Sequence, residues 1–258
     1  MKNKVVAVIG AYGGMGKAVS NKLYQEGYNL ALIGRSSKKL EDLKNQFPIK
    51  DDKKVTTHTL DLSENDFIPT VIQDVYDKHN YIETVVNAAG RVVPGPILNL
   101  EINDWQDALQ TNFLGMVQIV TLFAERMVKR KEGHIILING VLALEPDPNM
   151  LINSTLTGAV NNFAKAISKD LGKNGVRINV LNPGATDTPL WDLLYKQFGL
   201  EGTKTKNEFL AQIAQGIPLN RLASPQDIAN IISFLCSPRA KYLNGAFLTV
   251  DGGACATY

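Results

Sequence analysis

Short runs of apolar residues, many of them β-branched, alternate along this chain with longer segments in which apolar residues recur every three or four positions. A short continuous run predicts a buried strand, and a period of about 3.6 residues predicts an amphipathic helix. The pattern predicts strands over residues 5–9, 29–33, 55–60, 82–86, 135–138, 176–181 and 247–250. It predicts helices over residues 17–27, 64–78, 104–131 and 153–171.

The regular alternation of strands and helices predicts the fold class. It indicates a single α/β domain over residues 1–258, built as a doubly wound, mostly parallel sheet with helices on both faces. Residues 190–216 are less periodic, and we expect them to form a lid insertion. In this architecture a ligand lies across the carboxyl ends of the strands.

Composition narrows the range of partners. The 258 residues carry 27 Lys and Arg against 25 Asp and Glu, and the interspersed charges give no reason to expect nucleic acid or a membrane as partner. Cys236 and Cys255 have neither metal-ligand nor disulfide spacing, so no metal site is predicted. The first apolar run stops at Gly10, too early for a signal peptide, and we therefore expect a cytoplasmic protein.

Glycines mark the junction between the first strand and the first helix. They stand at Gly10, Gly14 and Gly16, a G-x-x-x-G-x-G spacing. A strand, a tight turn and a helix in this order let backbone N–H groups approach a pyrophosphate, which side chains at the glycine positions would obstruct. Tyr12 and Met15 lie between the glycines and are assigned to the same cofactor site. The alternative is a plain strand-to-helix turn without a ligand.

The residues after the second strand favour NADP over NAD. In dinucleotide-binding folds an acidic residue at this strand end holds the ribose 2′-hydroxyl of NAD. Here the strand is followed by Arg35 and Ser36, which offer a guanidinium and a hydroxyl to a 2′-phosphate. The alternative is that Arg35 and the lysines after it form a solvated helix start.

Other strand ends carry further candidates for cofactor contact. We expect Asp61 and Leu62 after the third strand to lie near an adenine. Small residues follow the fourth strand, and a turn with proline and threonine follows the sixth. These candidates are Asn87, Ala88, Ala89, Gly90, Pro183, Gly184, Thr186 and Thr188.

Taken in order, these motifs resemble those of the short-chain dehydrogenase/reductase family over nearly the full chain. Further matches are Asn112 within a long helix, V-R-I-N at 176–179, S-P-Q-D-I-A at 224–229 and D-G-G at 251–253. The resemblance implies a Rossmann-like sheet of seven strands and a homotetramer or homodimer assembled through the two long helices. It also implies that Pro183, Thr186 and Thr188 contact the nicotinamide.

The resemblance fails at the residues that carry the family's chemistry. The family has a serine after the fifth strand, a tyrosine thirteen residues later and a lysine four residues after that. Gly140, Asn153 and Thr157 stand at these positions. An amide has no titrating proton to replace that of a tyrosine, so proton transfer by the family's route should be impaired. Asn112 and Asn153 remain as the candidate residues of a degenerate catalytic site.

Three hypotheses follow. The first is an NADP-dependent oxidoreductase acting on a carbonyl or hydroxyl of a small molecule, with its proton managed by another group. The second is a non-catalytic NADP(H)-binding protein, either a sensor or a partner subunit. A weaker third is a lyase or isomerase on the same fold. Glu145, Asp147 and Tyr195 are candidates for a substitute proton donor. We expect, however, that the two carboxylates lie in a solvated surface turn and that Tyr195 packs within the lid.

Overall fold

Seven parallel strands form one sheet in the computed structural model, which describes residues 4–48, 54–200 and 202–256. The spatial order is β3-β2-β1-β4-β5-β6-β7, and the order reverses between β1 and β4. The strands are β1 Val5–Ile9, β2 Asn29–Gly34, β3 Val55–Thr59, β4 Thr84–Asn87, β5 Gly133–Ile138, β6 Val176–Pro183 and β7 Phe247–Val250. The predicted fold class is confirmed, and the predicted strand positions are right to within about two residues at each end.

Helices cover both faces of the sheet. They are α1 Gly14–Gln25, α2 Ser37–Lys44, α3 Ile68–His79, α4 Ile102–Ala108, α5 Gly115–Arg130, α6 Leu151–Lys173, α7 Leu190–Gln197, α8 Lys206–Gln215 and α9 Pro225–Cys236. One core contains residues of α3, α5 and α6, and the other contains residues of α1, α2 and α9. Within the described ranges, none of these helices is long and apolar enough to cross a membrane.

The burial of β1 explains its unbroken apolar sequence. Val5, Ala7 and Ile9 belong to the core on one face, and Val6 and Val8 belong to the core on the other. A strand covered on both faces has no polar side to alternate with, which is typical of parallel sheets. Because burial on both faces produces a continuous apolar run, β1 can be predicted from the sequence.

The segment at 190–216 is more regular than its sequence pattern indicates, since α7 and α8 account for most of it. Phe209 of α8 holds the two helices together. The ring centroids of Trp191, Tyr195 and Phe198 lie 5.9, 6.2 and 6.3 Å from that of Phe209. The predicted lid is therefore a helical pair around an aromatic cluster.

A π-helical segment, Leu109–Leu114, joins α4 to α5. The helix predicted over 104–131 is therefore interrupted by a wide, π-helical turn between α4 and α5. Asn112 lies in this wide turn. π-Helical turns are rare in proteins, and those that occur are often found at functional sites.

All three histidines of the chain are buried. Thr56 Oγ1 lies 2.7 Å from Nε2 of both His58 and His79, and His58 Nδ1 lies 2.7 Å from Asp74 Oδ2. His134 lies within β5 rather than before it. Burial lowers the pKa of His58, lowers that of His79 to about 4, and lowers that of His134 well below its usual range.

We expect the free energy of unfolding to fall as the pH is lowered from about 7 to about 5. Histidines in the unfolded chain bind protons below their ordinary pKa of about 6.5, whereas the folded chain resists protonation until lower pH. Each such histidine contributes a slope of up to about 1.4 kcal/mol per pH unit. Urea unfolding at several pH values measures this slope.

The His79→Gln variant should have a shallower slope, because one of the titrating groups is removed. Lys173→Gln is the matched control, because the Lys173 side chain is 78% exposed on α6 and should leave the slope unchanged. An unfolding free energy that is the same at pH 7.5 and pH 5 would contradict the interpretation.

Candidate functional site

A large cleft lies at the carboxyl edge of the sheet, where the strand order reverses. Its volume is about 1420 Å³. Most of the predicted site residues line it: Gly10, Tyr12, Gly14, Met15, Arg35, Asp61, Leu62, Asn87, Ala88, Ala89, Gly90, Asn112, Gly140, Asn153, Thr157, Pro183, Gly184, Thr186 and Thr188. Gly16 and Ser36 are the two predicted cofactor residues that do not line the cleft.

Close backbone contacts explain the glycines of the turn after β1. Gly10 has a φ of +75°, and a Cβ built on it would lie 2.8 Å from the backbone nitrogen of Ala89. A Cβ on Gly16 would lie 2.1 Å from the carbonyl oxygen of Gly10. Gly16 therefore shapes the turn from behind. Gly13, the residue before α1, has no side chain with which to cap the helix, so the first backbone N–H groups of α1 are available to an anion.

The end of β2 presents positive charge to the cleft. Arg35 is exposed, lines the cleft and forms no ion pair with any residue that the structure describes. Burial acts to raise the pKa of Asp61, but hydrogen bonds from Ser63 and the charge of Arg35 hold it below its usual range. Ser36 caps α2, because its Oγ accepts the N–H of Lys39 at 3.3 Å.

Asn112 and Asn153 both hold the backbone of the segment after β4. Asn112 accepts the Arg91 N–H and donates to the Arg91 carbonyl, each at 2.8 Å. Asn153 donates to the same carbonyl at 3.0 Å and accepts the Val93 N–H at 2.9 Å. The amides thus join the wide turn around Asn112, the segment 91–93 and α6. We define these four hydrogen bonds as the amide clamp.

Thr157 and Gly140 add no proton donor to this part of the cleft. Thr157 Oγ1 donates within its own helix to the carbonyl oxygens of Asn153 at 2.7 Å and Ser154 at 3.1 Å. A Cβ built on Gly140 would be 3.9 Å from Thr157 Cγ2, so the two positions face each other with space between them. The hydroxyl of Thr157 and the amide of Asn153 are therefore both engaged with backbone groups.

The substitute proton donors behave differently from one another. Tyr195 is absent from the lining, and its hydroxyl donates to the Lys204 carbonyl. Glu145 is also absent from it and accepts the N–H of Ala256 at 3.3 Å. Asp147 does line the cleft, in the loop that precedes α6. Its backbone N–H donates to Ser154 Oγ at 3.0 Å, which ties the loop to α6.

Sequence reasoning missed an ion pair in the lining and the contribution of Phe198, Phe209 and Ile213 to an apolar wall. Arg91 Nη1 lies 3.0 Å from Asp107 Oδ2, and both residues line the cleft. The position of Arg91 directly after the N-A-A-G motif was the available signal. The wall consists of Leu190, Trp191, Leu193, Leu194, Phe198, Phe209 and Ile213. Among described residues, no group of His, Cys, Asp or Glu is arranged to hold a metal ion.

Comparison with known proteins agrees with this geometry. The family model described as enoyl-(acyl carrier protein) reductase matches residues 10–255. The 3-oxoacyl-[acyl-carrier-protein] reductase FabG of Chlamydia trachomatis is 26% identical over 251 residues, with 97% of both chains covered.

Solved structures extend the agreement to three dimensions. The structure of YwfH, an NADPH-dependent reductase involved in bacilysin biosynthesis, has a TM-score of 0.91 at 27% identity and covers 99% of this chain and 100% of its own. The L-sorbose reductase of Gluconobacter frateurii, complexed with NADPH and L-sorbose, has a TM-score of 0.90 at 27% identity over 100% of both chains. This chain belongs to the short-chain dehydrogenase/reductase family.

Proposed function

We propose that this chain is an NADP(H)-dependent oxidoreductase that acts on a carbonyl or hydroxyl group of a small molecule. The observation that carries the proposal is that the glycine turn, Arg35 and the segment from Pro183 to Thr188 line one cleft. The glycine turn could contact a pyrophosphate, Arg35 a 2′-phosphate, and the segment from Pro183 to Thr188 a nicotinamide. The bound cofactor would supply or accept the hydride.

The donor set fits NADP rather than NAD. Arg35 forms no ion pair with a described residue and provides a planar fork of donors that suits a phosphate. The strand end that carries it has no carboxylate to hold a ribose diol. The NADPH complexes and NADPH-dependent reductases among the relatives support this choice.

A second candidate function is NADP(H) binding without catalysis, as a sensor or a partner subunit. The amide clamp favours it, because Asn153 at the family's tyrosine position holds backbone groups at Arg91 and Val93. Thr157 at the lysine position uses its hydroxyl proton within α6. In the oxidoreductase, the proton would therefore come from water, from the substrate or from Asp147.

We also propose that the protein assembles with copies of itself through α5 and α6. A groove between these helices is lined mainly by apolar residues, and several of these are partly exposed. The lining consists of Val120, Thr121, Ala124, Glu125, Val128, Phe163, Ile167 and Leu171. An equivalent surface on a second copy could cover this face in a symmetric pair.

The Arg35→Ala variant should weaken NADPH binding by about tenfold to a hundredfold and leave NADH binding nearly unchanged, because only NADPH carries the 2′-phosphate that the guanidinium would contact. Calorimetric titration of both cofactors measures the difference. Lys173→Ala, which removes one positive charge from the end of α6, is the control. Equal affinity of the native protein for NADPH and NADH would contradict the assignment of NADP.

Replacing Gly140, Asn153 and Thr157 together by Ser, Tyr and Lys should create or raise NADPH oxidation with carbonyl compounds. A placed proton donor is commonly worth about a hundredfold to ten-thousandfold in rate. The position of Gly140 has room for a side chain. A panel of aldehydes and ketones, followed by NADPH absorbance, measures turnover.

The control for this gain places Phe rather than Tyr at position 153 and keeps the other two replacements. This control loses the same Asn153 hydrogen bonds as the triple variant but has no phenol proton to donate. Thermal melting shows whether each variant folds, since loss of the Asn153 half of the clamp costs about 1–3 kcal/mol. A folded triple variant that is no more active than its Phe control would contradict our assignment of the proton-transfer position.

Ile167→Glu should shift the protein to a smaller assembly, because it places a charge in the groove between α5 and α6. Ala166→Glu is the matched control, since this neighbouring residue is exposed and lies outside the groove. Sedimentation velocity measures the mass of each. A native protein that sediments as a monomer would contradict the proposed assembly.

A further inference from the structure

Tyr12 bridges the glycine turn and the start of α2. Its ring lies against Gly34 at the end of β2, where an added Cβ would be 2.7 Å from Tyr12 Cε1. The hydroxyl accepts the backbone N–H of Ser36 at 3.1 Å. These two contacts fix both the plane of the ring and the position of its oxygen, beside Arg35 in the lining of the cleft.

The Tyr12 hydroxyl retains a proton to donate. A phenol carries one donor and acceptor lone pairs, and the Ser36 N–H uses only a lone pair. The described residues offer no acceptor within hydrogen-bond distance of this proton. A donor held in place without an acceptor suits a ligand oxygen at the same point.

Two cationic side chains belong to the same region as Tyr12. The Lys39 ammonium lies 5.6 Å from the centroid of the Tyr12 ring, and Arg35, which directly precedes Ser36, lines the same cleft. Asp61 also lines this cleft, and its carboxylate interacts electrostatically with Arg35. An anionic oxygen would gain from the nearby cations as well as from the phenol, whereas a neutral ribose hydroxyl would gain much less.

We infer that Tyr12 determines the cofactor specificity of this cleft by donating its phenol proton to the 2′-phosphate of NADP(H). The inference rests on the proposed NADP(H)-binding function and deepens it. Arg35 supplies charge at the same group, and Tyr12 supplies a directional donor whose position is set by Ser36 and Gly34.

The test compares adenosine 2′,5′-bisphosphate with adenosine 5′-monophosphate by calorimetry, because the two compounds differ only in the 2′-phosphate and neither contains nicotinamide. Tyr12→Phe should lower the affinity for the bisphosphate by about tenfold or more. It should leave the affinity for the monophosphate within about twofold. Tyr242→Phe is the matched control, because the Tyr242 side chain is fully exposed.

The outcomes distinguish failure of the Tyr12 inference from failure of the NADP(H)-binding proposal on which it rests. If Tyr12→Phe weakens both compounds equally, the residue only shapes the turn and the inference is overturned. An unchanged affinity for the bisphosphate overturns it as well. If the native protein itself does not prefer the bisphosphate, the NADP(H) proposal fails and the inference fails with it.

Discussion

The close approach of backbone at the turn after β1 is the constraint on which the cleft depends. Gly10 leaves no room for a Cβ beside the backbone of Ala88 and Ala89, and Gly16 leaves none beside Gly10 itself. The N–H groups of Gly10 and Ala11 both donate to the Ile33 carbonyl, at 2.9 and 3.1 Å. The ends of β1, β2 and β4 are thereby joined at one place. Residues far apart in sequence share a wall for this reason.

The amide clamp sets the chemical character of the opposite wall. The Arg91 carbonyl accepts hydrogen bonds from two side-chain amides, those of Asn112 and Asn153. An amide arranged in this way stabilises the position of the backbone and has no titrating proton. The two asparagines therefore explain how this wall of the cleft keeps its shape.

Much of the fold was predictable from sequence, and so was the set of strand ends that line the cleft. Strands buried on both faces produce continuous apolar runs, and the carboxyl ends of parallel strands converge, so that Asp61, Asn87 and Pro183 could be placed together. The partners of Asn153 could not be predicted, because Val93 is 60 residues away and is contacted through its backbone. Backbone groups carry no signal in the sequence.

The helices α7 and α8 were missed for a different physical reason. Each is short, with eight residues in α7 and ten in α8, and Gly199 and Gly202 interrupt the segment between them. A helix of two or three turns gives periodicity analysis few repeats to detect. The burial of His58 and His79 was missed too, since their shared partner Thr56 closes a contact between β3 and α3 that no local pattern marks.

The wide turn between α4 and α5 makes this part of the chain sensitive to the insertion or deletion of residues. A π-helical turn holds more residues than an α-helical turn, so the segment Leu109–Leu114 changes the rotational phase between the two helices. That phase lets Asn112 reach Arg91 while Met116, Ile119 and Phe123 of α5 enter the core. Deleting one residue here would rotate α5 by about 100° relative to α4. This stretch is therefore sensitive to length in a way that loops of the same size are not.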